Sequence, residues 1–163
     1  MKPLKPSSTR KSQSDRKRST TSWKIPQPAD VISYAYLWAR EAAEGQEEGL
    51  KDRPVVVTVA RIKRQGYTEI VVAPITHSEP DDTADGLELP RSVKRQLGLD
   101  SDRSWIITSE LNFFIWPGPD VRIAPGKDHP LYDAIPERLF DQLRIALREK
   151  VLAGRIKVTK RSS

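Results

Sequence analysis

Apolar and polar residues fall into a few contrasting patterns along the chain. The segment Val31-Ile32-Ser33-Tyr34-Ala35-Tyr36-Leu37-Trp38 is dense in aromatic and β-branched side chains and predicts a first strand. Val55 to Ala60 is an uninterrupted stretch of Val, Thr and Ala that reads as a buried strand. Pro54 stands at its first position, where a missing N–H is tolerated. Glu69 to Thr76 predicts the next strand, and Gly66 marks the turn that joins the two into a hairpin. Trp105–Thr108 and Phe113–Trp116 predict two more strands, the second closed by Pro117-Gly118-Pro119. Two segments are helical. Pro90 to Leu97 opens on proline and stops at Gly98. Pro136 to Leu152 repeats Leu139, Leu143, Leu147 and Val151 every four residues, with Phe140 beside them and Gly154 as its stop.

Between these elements lie two acidic stretches. Ala39 to Asp52 carries five acids with Gly45 and Gly49, and predicts a mobile loop better than the helical turn that Arg40–Glu44 would allow. Residues 78–89 form the second. There is no internal repeat and no alternation of strand, helix and strand. Short strands followed by a closing helix predict a mainly β chain with some α, a small antiparallel barrel or sandwich capped by helices.

Charge sharpens this organisation. The 163 residues suit one domain, placed at 23–154, with a basic tail at 1–22 and a second basic tail at 155–163. The net charge of +6 is unevenly spread. Residues 1–24 hold eight basic groups and one acid, residues 141–163 hold seven and two, and the stretch between them holds 13 and 19. The body is therefore mildly acidic between two basic ends. Residues 1–22 are almost entirely Ser, Thr, Lys, Arg, Pro and Gln and cannot offset the entropy of ordering, so they predict a disordered tail. That tail is either simply solvated or an arm that binds phosphates without sequence preference. The absence of Cys excludes disulfides and thiolate metal sites, and two His, at 77 and 129, do not make a multi-His zinc site. No metal or cofactor is implied. No apolar run approaches a membrane span, and the charged start lacks the apolar segment of a secretory signal.

Arg53 stands between a Gly-containing loop and a buried strand, where a fixed guanidinium would present planar donors to a phosphate. A salt bridge to Asp52 or Glu48 is the ordinary alternative. An antiparallel hairpin brings Thr76 and His77, at the end of one strand, to the start of the other. Arg53, Thr76 and His77 then share one end of the sheet. Such a trio suits metal-independent RNA cleavage, in which a ribose 2′-OH attacks the adjacent phosphorus. Arg53 would stabilise charge, Thr76 would donate to a phosphate oxygen, and His77 is of the type that titrates near neutrality. Its alternative is a solvated loop residue. Arg91, Lys94 and Arg95 share a helix face and form a candidate phosphate-binding patch or plain solvent surface. The loop Asp81-Asp82-Thr83-Ala84-Asp85-Gly86 imitates half of a calcium loop, but its twelfth position is Ser92. The four Trp and Phe113-Phe114 read as core rather than base-stacking residues.

These positions also carry a resemblance. Asp30-Val31-Ile32, the Gly loop leading into Arg53-Pro54-Val55-Val56-Val57, and Val72-Ala73-Pro74-Ile75-Thr76 resemble the PemK/MazF-type toxins of type II toxin–antitoxin systems. The stretch Leu89 to Asn112 resembles a proteobacterial branch of that family, and the likeness spans about Pro28 to Trp116. It implies an SH3-like barrel, a homodimer, metal-independent cleavage of single-stranded RNA, a cognate acidic antitoxin and a cytoplasmic location. By position, Arg53 and Thr76 match the family's active-site Arg and Thr. Family members often carry an Arg-Thr pair and an acid after the fourth strand. That place here reads Ser109-Glu110-Leu111-Asn112-Phe113, with Asn112, a candidate RNA contact, where the Arg is expected. A non-catalytic SH3-like module that recruits RNA or protein through its basic tails is the reading from another class.

Overall fold

The computed structural model describes residues 23–49 and 51–161. The expected disordered tail at 1–22 lies outside the described residues. The chain is mixed α/β, a mainly antiparallel sheet with a C-terminal helix. Its strands are β1 (Asp30–Tyr34), β2 (Arg53–Ile62), β3 (Thr68–Thr76), β4 (Gly86–Glu88), β5 (Trp105–Ile107), β6 (Glu110–Ile115), β7 (Val121–Arg122), β8 (Leu131–Ala134) and β9 (Lys157–Lys160). The helices are α1 (Ala39–Ala43), α2 (Arg91–Leu97) and α3 (Glu137–Leu152). The main path of the sheet runs β4-β5-β3-β2-β1-β7, with β6 beside β3, β8 beside β1 and β9 beside β6. No closed barrel forms among the described strands.

The hairpin is the backbone of the fold. β2 and β3 pair antiparallel from Val55 opposite Pro74 to Ile62 opposite Thr68, and the register shifts between Val57 and Val59. The long apolar run of β2 has a simple cause, because both faces of the sheet are covered. Val31, Val56, Ala73 and Ile75 face one core with Leu139, Leu143 and Leu147 of α3. Val55, Val57, Ile70 and Val72 face the other with Tyr34 and Phe114, whose rings stack at 4.6 Å. α2 starts on Pro90 and ends where Gly98 takes φ +73°, as the sequence predicts. In α3 the leucine stripe is buried, whereas Val151, expected on it, is exposed.

Three expectations are corrected. The first strand stops at Tyr34 rather than Trp38, because the next backbone groups bond elsewhere. Ala35 N–H donates to Asp120 O, and Leu37 N–H and C=O are both taken by the side chain of Asn112. The stretch after Trp38 is helix α1 rather than loop, since the Glu41 carboxylate accepts the Trp38 N–H at 3.0 Å and caps it. Gly49, further along, lies so close to Tyr36 O and Ala35 O that a Cβ would sit 2.3 and 2.6 Å from them. Finally, residues 157–160 of the expected basic tail form β9, parallel to β6, with Glu110 opposite Lys157 and Phe113 opposite Lys160. The calcium-like loop holds a 3-10 turn, Thr83–Asp85, and Asp85 is paired with the Lys150 ammonium of α3.

Candidate active site

The sheet brings the predicted trio together. Tyr34 of β1 lies opposite Arg53 at the start of β2, and Ile75 and Thr76 at the end of β3 lie opposite Ile106 and Trp105. Arg53 is half-buried. Its Nη1 donates to Ile75 O at 3.3 Å, and its Cζ lies 5.1 Å from the centre of the Trp38 ring. Its buried Nε has no partner among the described residues. Asp52, the suggested salt-bridge partner, pairs instead with Arg122 Nε at 3.4 Å. Among the described residues no carboxylate sits within 4.0 Å of the Arg53 guanidinium. Burial lowers the Arg53 pKa and Glu41 opposes that shift. A guanidinium starts so far above neutrality that it stays charged. The site therefore keeps a partly desolvated cation with spare donors.

Thr76 Oγ1 accepts the Ser78 N–H at 3.1 Å, which leaves the hydroxyl proton free to donate. His77 is exposed, and its Nε2 lies 2.9 Å from the Asp100 carboxylate. Asp100 is also 2.9 Å from the Lys94 ammonium, which donates to Asp102 O as well. The Lys94 hydrogen bond, opposed by partial desolvation and helped by His77, pulls the Asp100 pKa below the ordinary aspartate value.

Two hollows meet at this trio. A cleft of about 740 Å³ is bordered by Arg53, Thr76, His77, Trp38, Arg40 and Glu110. A smaller one of about 300 Å³ shares Arg53, Thr76 and His77 and adds Asp100 and Tyr132. Glu110 is the residue that sequence reasoning did not select. Its Oε1 accepts from Tyr36 OH at 3.1 Å and from Ala39 N–H at 2.9 Å. Burial pushes its carboxyl pKa upward, against those two hydrogen bonds and the charges of Arg40 and Lys157. A carboxyl held part-way into the protein beside a cation is suited to proton transfer. The signal that would have found it was the acid of Ser109-Glu110-Leu111-Asn112.

None of the proposed RNA contacts borders either hollow, and Lys94 reaches the trio only through Asp100. Asn112 is fully enclosed and spends its amide on Leu37 N–H and C=O. Inside the molecule it offers RNA no surface, so it is a structural brace. Lys94 is likewise buried, with its ammonium on Asp100 and Asp102, because the turn after α2 folds back over it. Arg91 and Arg95 are exposed. Arg91 borders a separate hollow of about 410 Å³ with Glu88 and Arg103. His77, Asp100 and Asp102 come close enough to share a cation, but the Asp100 carboxylate is already paired with the Lys94 ammonium. No helix among the described residues is long and apolar enough to cross a membrane. No family model matches the chain, and no curated protein matches it.

Proposed function

We propose that this chain is a metal-independent endoribonuclease, the toxin of a type II toxin–antitoxin pair, acting on single-stranded RNA at the Arg53 cleft. The observation that carries the reading is the half-buried Arg53 guanidinium, free of any carboxylate partner among the described residues and bordered by Thr76, His77 and Glu110. In this reading Glu110 takes the proton of the ribose 2′-OH as the oxygen attacks phosphorus. Arg53 and the Thr76 hydroxyl stabilise the negative charge that builds on the equatorial oxygens. His77, its ring held by Asp100, gives a proton to the departing 5′-oxygen. The products are a 2′,3′-cyclic phosphate and a 5′-hydroxyl. An SH3-like classification of the sheet, a homodimer, an acidic antitoxin in the same cleft and action in the cytoplasm belong to this proposal. They rest on the sequence resemblance around Arg53-Pro54 and Pro74-Ile75-Thr76.

The deciding experiment incubates the purified chain with single-stranded RNA in excess chelator and examines the ends. Cyclic-phosphate ends that vanish in Arg53→Ala support the reading, and RNA left intact by both proteins defeats it. One observation favours the second reading, a module that binds without cutting. Glu41, Glu79 and Asp81 border the cleft alongside its cations, and Asn112 replaces the expected Arg. Retention of RNA without cleavage, lost in Arg53→Ala, would select it.

A further inference from the structure

Trp38 was expected in the core, yet the indole borders the 740 Å³ cleft and is only half-buried. Tyr36 packs against it at a steep angle, with ring centres 5.1 Å apart and planes at 67°. What lies over the ring is charge. Arg53 Cζ stands 5.1 Å and Arg40 Cζ 5.5 Å from its centroid. The first guanidinium is anchored on Ile75 O. The second is exposed, with no ion pair among the described residues, and its side chain moves aside at little cost.

The main chain that carries the indole is held firmly. The Trp38 backbone N–H donates to the Glu41 carboxylate, and Ala42 N–H donates to Trp38 O. One residue earlier, Leu37 is clamped by Asn112, which is clamped in turn by Arg161. A half-exposed aromatic ring on a braced backbone, with one anchored guanidinium and one displaceable one against it, has the properties of a platform for a flat, uncharged ring attached to a phosphate. An unpaired nucleobase is that ligand, because every base has a π-face and duplex bases are already stacked.

We propose that Trp38 is a nucleobase subsite, on which one unpaired base of the RNA stacks while its phosphate meets Arg53. Arg40 closes over the outer side of the base or pairs with the next phosphate. The subsite rests on the endoribonuclease reading for its substrate, but it is a statement about binding and does not need cleavage. Such a subsite would favour single strands over duplexes, and it is indifferent to base identity except through stacking strength.

The test uses a short 2′-O-methyl RNA, which has no free 2′-OH and stays intact on the protein. Its affinity is measured for the full chain against the same oligonucleotide series with single abasic positions. One abasic position weakens binding by roughly 5- to 150-fold, the range for loss of one aromatic stack, and the others have much less effect. Trp38→Ala removes that position's advantage, and Trp38→Phe restores part of it. Equal affinity for all abasic positions overturns the subsite, and so does unchanged discrimination in Trp38→Ala. Because the abasic series needs no protein variant, a poorly folding Trp38→Ala does not block the result. The two readings fail separately. Cleavage of unmodified RNA with no Trp38-dependent base discrimination leaves the nuclease standing and the subsite lost. Trp38-dependent discrimination without any cleavage does the reverse.

Discussion

Arg161 Nη1 lies 3.1 Å from Asn112 Oδ1 in the interior of the protein, and the same nitrogen donates to Ala35 O at 2.7 Å. Arg161 Nη2 approaches Asp120 Oδ2 at 3.1 Å, close enough for Coulombic attraction though off the line of a hydrogen bond. The end of the chain thus locks the segment 35–38, which presents Tyr36 and Trp38 to the cleft. Removing one member strands buried polar groups. Arg161→Ala is expected to lower stability by about 3–5 kcal/mol, since it leaves Asp120 without its cation. Asn112→Leu is expected to cost about 2–5 kcal/mol by orphaning Leu37 N–H and C=O. Chemical denaturation checks both, and a loss below 1 kcal/mol would show that the clamp is slack.

Arg53→Ala is expected to reduce RNA cleavage by roughly 10²–10³-fold, the usual loss on removing one transition-state donor. Arg53→Lys keeps the charge but not the planar fork, and recovers only a small part of the rate. Full recovery by Lys would mean that a point charge suffices. Single-turnover rates at saturating RNA separate this from weakened binding.

In the proposed reaction Glu110 is expected to set an acidic limb in the pH–rate profile of cleavage. Its carboxyl is raised above the ordinary 4.5, mainly by burial. The base form therefore appears only above a pH higher than that ordinary value, and Glu110→Gln abolishes the limb together with roughly 10²–10⁴ of the rate. The sign for stability follows. A raised folded pKa means the native state holds the proton more tightly, so the charged carboxylate is a burden above the folded pKa. That burden is relieved as pH falls through the folded pKa. Relative to Glu110→Gln, the wild-type melting temperature should rise as the solution is acidified through that window and drop as pH increases. A constant difference would place Glu110 in open solvent.

His77→Gln is expected to slow cleavage of ordinary RNA by roughly 10²–10⁴-fold. The defect should disappear with a substrate whose 5′-oxygen is replaced by sulfur, a leaving group that needs no proton. A defect that persists with the sulfur substrate would assign His77 to binding. No defect at all would leave it as a surface partner of Asp100.

Much of this was readable along the chain. The Val55-Val56-Val57 run, the Gly66 turn and the Pro90 and Gly98 boundaries are local signals, and they placed the hairpin and α2. The convergence of Arg53, Thr76 and His77 followed from strand pairing alone, because an antiparallel hairpin must return to its starting end. Asn112 and Lys94 are buried, against expectation, for a common reason. A polar side chain reads as exposed until the partner that buries it is known, and those partners lie at Leu37 and Arg161 for one, and at Asp100 and Asp102 for the other.

The sequence by itself determined the β2–β3 hairpin, α2 and α3, and the place of Arg53 at the start of β2, since these depend on neighbours within a few residues. Tertiary structure alone decided that residues 157–160 form a strand, that Trp38 faces a cleft and that Glu110 is held above its ordinary pKa. Each of these depends on a meeting across more than 30 residues, such as Glu110 opposite Lys157 or Asn112 against Leu37. Local propensity carries no information about such encounters, because burial and pairing are properties of what arrives from elsewhere in the chain.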